Sequence, residues 1–356
     1  MAKLFFPKGL FYKEWMQKRW LALLAFVVAC PSVFFQTLTP LTQPHRNVTV
    51  TAFARNGKIV MQTTNVVTAN FDGFVNQVVG HFSAGWWATI VIAGIALYSL
   101  WVERNHEVGW FTFSGPVTKG QVLRAKYVFD LALILALFTT LAIILGIVDA
   151  AIGVHYPIAG IVRWWIAELA IQTSMYGLAL LVATLVGNLV LAALLTFGIA
   201  NIPMYAGIPL IHWLGANWVV FAEPSKHAAI PFSWNMMWAI THLSPLNWFS
   251  VPLNEPGTSA WTSPWLYFVW FLVFTAVACA VSERLYERTP NERLSELLAF
   301  RWLKHPFIVA LSGLLAGVVV KLMGGTGRFT FTGVVLVLIV VWAAIFSVSQ
   351  QVSKRF

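Results

Sequence analysis

The side chains able to do chemistry in this chain are the few ionisable ones that interrupt or flank its long apolar runs. Asp130 and Asp149 stand at the two ends of one such run, and Arg163 and Glu168 stand in the first half of the next. An ionisable group at membrane depth is costly, so each requires a partner or a function. Folding the chain back about His155-Tyr156-Pro157 places Asp149 and Arg163 at similar depth and predicts a structural ion pair. Glu168, five residues beyond Arg163, could line a polar path; satisfaction by a neighbouring side chain is the expected role.

Enzymatic chemistry has little to work with. Gly115 to Gly120 has the Gly-x-x-x-x-Gly spacing of a phosphate-binding loop, yet Gln121 occupies the place where the phosphate-binding Lys must stand. HExxH and GxSxG are missing, and the eight histidines and two cysteines show no metal-ligand spacing. With three aspartates in the chain, paired-carboxylate catalysis has few candidates. The expectation is a chain with no catalytic, cofactor-binding or metal-ligating residue.

The elements that must position the ionisable groups follow from composition. Hydrophobic residues make up 59% of the 356 and charged residues 10%, against about 25% charged in soluble domains. Such a chain is predicted to be an all-α polytopic membrane protein, with runs long enough to cross a hydrocarbon core about 30 Å thick. A net charge of +10 fits basic residues gathered in the loops of one side, so nucleic-acid binding is not expected. Cys30 and Cys279 lie in apolar runs at different depths, which argues against a disulfide. The first apolar run is too long for a signal peptide and lacks a small-residue cleavage site, so it is expected to stay in the mature protein.

Residues 1–18 carry Lys3, Lys8, Lys13 and Lys18 around an apolar face with Leu10, Phe11 and Trp15, and predict an interfacial helix. Trp20 to Leu38 is the first span, with Pro31 tolerated inside it. Residues 40–83 are a polar insertion on the far side. Alternation about Asn56-Gly57 predicts a β-hairpin there, and Phe71, Phe74, Val75, Val78, Val79 and Phe82 predict an amphipathic helix. Ala84 to Val102 and Leu131 to Val148 are uncharged runs of nineteen and eighteen residues, the second and third spans. The fourth runs from Arg163 to about Val186, Gly187-Asn188 makes a tight turn, and Leu189 to about Met204 is the fifth. Residues 206–264, rich in Pro and Trp, read as re-entrant or interfacial helices at the outer surface. Trp265 to Val281 is the sixth span, residues 282–305 a charged loop with a solvated amphipathic helix, and residues 306–349 an extra pair of spans, about eight in all. With the N-terminus inside, sixteen Lys and Arg fall on the inner side and seven on the outer, which predicts both termini in the cytoplasm.

Residues 103–127 form a polar island between the second and third spans. Pro116 and the residues after it predict a short helix starting near Val117, with Gln121, Arg124 and Lys126 making contacts in the water phase. Glu103-Arg104, Glu107, Gly109, Gly115-Pro116-Val117, Lys119 and Lys126 resemble the loop between the second and third membrane helices of ABC-2-type transporter permeases. Tyr12-Lys13-Glu14-Trp15 with Arg19-Trp20 resembles the N-terminal elbow helix of that family. The resemblance covers residues 1 to about 285; the extra helix pair departs from the six-span pattern and resembles a longer variety.

The resemblance implies a coupling helix that docks on a separate ATPase, with Glu103, Arg104, Glu107, Gly109, Pro116, Lys119, Gln121 and Arg124 at the contact. It implies a permease subunit that moves or extracts an amphipathic substrate across or from a bacterial plasma membrane. Soluble ABC ATPase subunits, a second permease chain (identical or related) and membrane lipids would be its partners. ATP and Mg would then be bound by the ATPase, so this chain is not expected to be an enzyme by itself. A secondary transporter is the rival reading, but no internal repeat is visible. An integral-membrane enzyme acting on lipids is another, and it lacks an acid/base cluster.

Overall fold

The computed structural model describes residues 8–42, 47–55, 58–66, 82–105, 118–152, 158–203, 243–246 and 264–289. These residues hold α1 (Lys8–Thr42), a hairpin of β1 (Asn47–Arg55) and β2 (Lys58–Val66), then α2 (Phe82–Asn105), α3 (Lys119–Ile152), α4 (Ile158–Leu185), α5 (Leu189–Ile202) and α6 (Pro264–Arg288). Among the described residues, three stretches are long and apolar enough to cross a membrane, Lys119–Val148, Ile161–Leu185 and Trp265–Arg288; two shorter apolar ones are Trp87–Glu103 and Leu189–Ile202. The coarse expectation of a helical membrane protein is met. Outside the described residues lie the extra pair at 306–349, nearly all of the Trp-rich region 206–264, the amphipathic helix expected ahead of Phe82, the His155 to Pro157 turn, and residues 106–117 and 290–305.

Helix α4 is the axis of the bundle. Its apolar stretch is 78% buried, against 28% in α3 and 39% in α6. Helices α2, α3, α5 and α6 all pack on α4, and α1 packs on α2 and α3. Apolar helices gain no hydrophobic drive from meeting one another in lipid, so close approach and polar contacts must hold them. Ala167, Ala170, Ala179 and Ala183 are buried on α4. Gly177 lets α6 approach so closely that an added Cβ would lie 3.2 Å from Thr275 Cα. Aromatic rings fill the wider gaps, as where Phe138 of α3 meets Trp164 of α4 with centroids 6.4 Å apart.

Local chemistry sets the helix ends. Asn188 caps α5, its side chain accepting from Leu191 N at 3.0 Å, in the turn read from Gly187-Asn188. At the start of α3, Thr118 Oγ1 accepts from Gln121 N at 3.3 Å while Gln121 Oε1 accepts from Thr118 N at 3.1 Å, a reciprocal capping box.

Three expectations about helix limits change. The short helix expected near Val117 is not a separate element: α3 runs unbroken from Lys119 through the third span, because Val122, Leu123 and Ala125 are buried and carry its packed face down to the cap. The interfacial helix of residues 1–18 and the first span are likewise one helix over residues 8–42. Leu10, Glu14, Lys18, Ala25 and Ala29 are all buried, a single stripe at helical spacing that leaves no reason to break. The sixth span continues as helix to Arg288: Ser282 and Tyr286 are buried against the bundle, while Arg284, Glu287 and Arg288 stay exposed on the other face. The hairpin follows its turn signal: Arg55 pairs with Lys58 and Asn47 with Val66, so Asn56-Gly57 is the two-residue connection.

Candidate functional site

Helices α1 and α3 each carry an opposite-charge pair four residues apart, Glu14 with Lys18 and Lys126 with Asp130. Such spacing puts both charges on one helix face. The two faces meet in register. Lys126 Nζ donates to Glu14 Oε1 at 2.8 Å, and Lys18 Nζ donates to both Asp130 oxygens at 2.7 and 2.8 Å, both contacts linking residues 112 apart. Within α1, Lys18 Nζ also lies 2.9 Å from Glu14 Oε2, as an ion pair without hydrogen-bond alignment. Glu103, near the end of α2, closes the group, its Oε1 lying 3.2 Å from Lys126 Nζ and 3.5 Å from Lys13 Nζ. Tyr176 of α4 donates to Asp130 Oδ2 at 2.9 Å, and Tyr286 of α6 donates to Glu103 Oε2 at 3.4 Å.

The cluster holds three cations and three anions, and only Lys13, at 25% side-chain exposure, reaches the rim. A buried ion costs several kcal/mol unless an opposite charge and hydrogen bonds compensate it; alternation gives each charge such a neighbour. Alternation also fixes the register of the helices. Sliding α1 by one turn, about 5.4 Å, would bring Lys18 beside Lys126 or Glu14 beside Asp130. Burial pushes the Glu14 carboxyl up, but Lys126 and Lys18 beside it outweigh that effect and hold it below its ordinary value.

A second tie joins the start of α3 to the end of α6. Lys119 Nζ donates to Thr289 O at 2.6 Å, Arg124 pairs with the Glu283 carboxylate, and Tyr127 OH donates to Glu283 Oε2 at 3.0 Å. The Glu287 side chain lies so close over Gly120 that an added Cβ would overlap its carboxyl. In the other half of the bundle, Thr89 donates to Gln172 Oε1 at 3.1 Å and Gln172 Nε2 donates to Glu168 Oε2 at 3.1 Å.

Four of the residues expected to face an ATPase have described side chains, and each makes contacts inside the chain. Glu103 is 3% exposed, so it is not a free acceptor for a partner's basic groups as read from the sequence; it compensates Lys126 instead. Lys126, expected in the water phase, is 1% exposed for the same reason. Lys119 and Arg124 brace α6, and Gln121 caps α3. The Arg104 side chain and Glu107, Gly109 and Pro116 lie outside the described residues.

Of the intramembrane group, Asp130 joins the ion cluster and Glu168 is satisfied by Gln172, the role expected of it. Arg163 is exposed; the Asp149 side chain, and with it their expected pair, lies outside the described residues. Sequence reading missed Glu14, Lys18, Tyr176, Glu283 and Tyr286. A signal was present for the first two: matching four-residue charge spacings at Glu14/Lys18 and Lys126/Asp130, in opposite order of sign.

No family model, no curated protein and no solved structure matches this chain.

Proposed function

We propose that this chain is the permease subunit of an ATP-driven transporter of the ABC-2 type, moving or extracting an amphipathic substrate with ATP hydrolysed by a separate subunit. One observation carries the reading: the base of the loop at 106–117 is pinned. Glu103 and Lys126, on the two helices that the loop joins, are 3.2 Å apart, and the first turns after the loop are fastened to α6 through Lys119, Arg124 and Tyr127. A loop that served only topology could leave these charges in water, where exposed pairs are worth little. Burying them makes a stiff mount, so a force applied to the loop moves α1, α2, α3 and α6 together. That is what coupling to a soluble motor needs, and the motif resemblance of Glu103 to Lys126 names the motor.

The test is purification of the tagged chain from its native membranes in mild detergent. A soluble nucleotide-binding chain should co-purify, with ATP hydrolysis in the fraction. Glu107→Lys, which reverses a loop charge away from the pinned base, should weaken that association without changing the yield of folded protein. A chain that elutes alone and is active in substrate movement without ATP would end the proposal.

A further inference from the structure

The outward side of α1 is one continuous stripe. Tyr12, Trp15, Met16, Trp20, Leu23, Leu24 and Val27 are all exposed, as is Arg19, and their spacing of three and four residues keeps them on one face. The stripe is ordered along its length. Its N-terminal part holds three aromatic rings around Arg19, whose guanidinium lies 5.6 Å over the Trp20 ring; beyond them come only aliphatic side chains. Aromatic rings with a cation followed by hydrocarbon is the profile of a helix crossing from headgroups into acyl chains. From Arg19 to Val27 the helix rises about 12 Å, most of the half-thickness of a hydrocarbon core about 30 Å deep.

Charge selects the occupant. Lys13, Lys18 and Lys126 behind this face are each offset by a carboxylate, but among the described residues Arg19 has no carboxylate partner. We propose that this face binds an anionic phospholipid of the leaflet on the N-terminal side, with the headgroup phosphate on Arg19 and an acyl chain along Leu23, Leu24 and Val27. A guanidinium is suited to a phosphate, whereas a zwitterionic headgroup brings its own cation to the site. A second copy of the chain is the poorer occupant, because a two-fold axis along this stripe would bring Arg19 towards its own equivalent.

Native mass spectrometry of the full chain in detergent, titrated with phosphatidylglycerol or with phosphatidylcholine of the same acyl chains, tests the site. The wild type should bind phosphatidylglycerol more tightly. Arg19→Gln should lower that affinity about fivefold, the effect of one basic residue at an anionic surface, and leave phosphatidylcholine binding unchanged. Arg19→Lys should keep most of the preference, and Arg284→Gln, at an exposed arginine of α6, should keep all of it. Equal losses for both lipids in Arg19→Gln, or no loss, would overturn the assignment. A change of oligomeric state in that variant with lipid binding intact would also overturn it, in favour of a second copy.

Discussion

Lys18 and Asp130 are both buried, so removing either charge leaves the other uncompensated in low dielectric. Lys18→Met and Asp130→Asn should each lower stability by roughly 3–5 kcal/mol. The double variant should regain part of that loss, because it removes one charge of each sign. Fluorescence-detected size exclusion after heating would show the recovery, and a double variant no better than the worse single one would refute the pairing. Glu103→Lys sets four cations against two carboxylates in the cluster and should abolish folding. The ionisable residues themselves were legible, since Asp130 and Glu168 stand out in apolar surroundings. Their partners were less so. Lys18 reads as a basic residue ahead of a span, and only a parallel packing of α1 on α3 reveals that an offset of 112 residues brings it to Asp130.

At the scale of elements, hydropathy located the apolar helices among the described residues, and turn chemistry the hairpin. Leu189 to Ile202 ends where Pro203 follows, and β1 pairs with β2 in the register that puts Arg55 opposite Lys58. Helix limits near charged residues were misplaced because charge was equated with water. Glu14, Lys18, Ser282 and Tyr286 are buried by neighbours distant in sequence, so α1 and α6 extend past the limits that polarity alone suggests. Two variants probe the elements. Gly177→Val puts side-chain atoms against the α6 backbone at Thr275 and should cost roughly 1–3 kcal/mol, the range for overpacking, with Gly177→Ala milder; thermal midpoints in detergent would rank them. Thr118→Ala with Gln121→Ala removes the capping box and should cost about 1 kcal/mol. Faster amide exchange should be confined to the first turn of α3; unchanged exchange there would show that the cap does not hold the helix start.

Over the whole molecule, the ion cluster gathers the first turns of α1 and α3 with the last turns of α2 and α6 at one end of the bundle. Basic residues are concentrated at that same end in the sequence, which predicts that it faces the cytoplasm. A cysteine at Asn56 should therefore react with an impermeant maleimide in intact cells, and one at Arg284 only after lysis; the reverse pattern would invert the topology. The proposed coupling to an ATPase has its most direct measurement in ATP hydrolysis by the purified complex after residues 106–117 are replaced with a Gly-Ser linker of equal length. Glu103, Thr118 and Lys126 are kept, so the variant should insert and elute as the wild type does. Hydrolysis should fall to background, with the nucleotide-binding chain lost from the complex. Retention of both, in a variant whose loop has no sequence left to recognise, would contradict a coupling role for this loop.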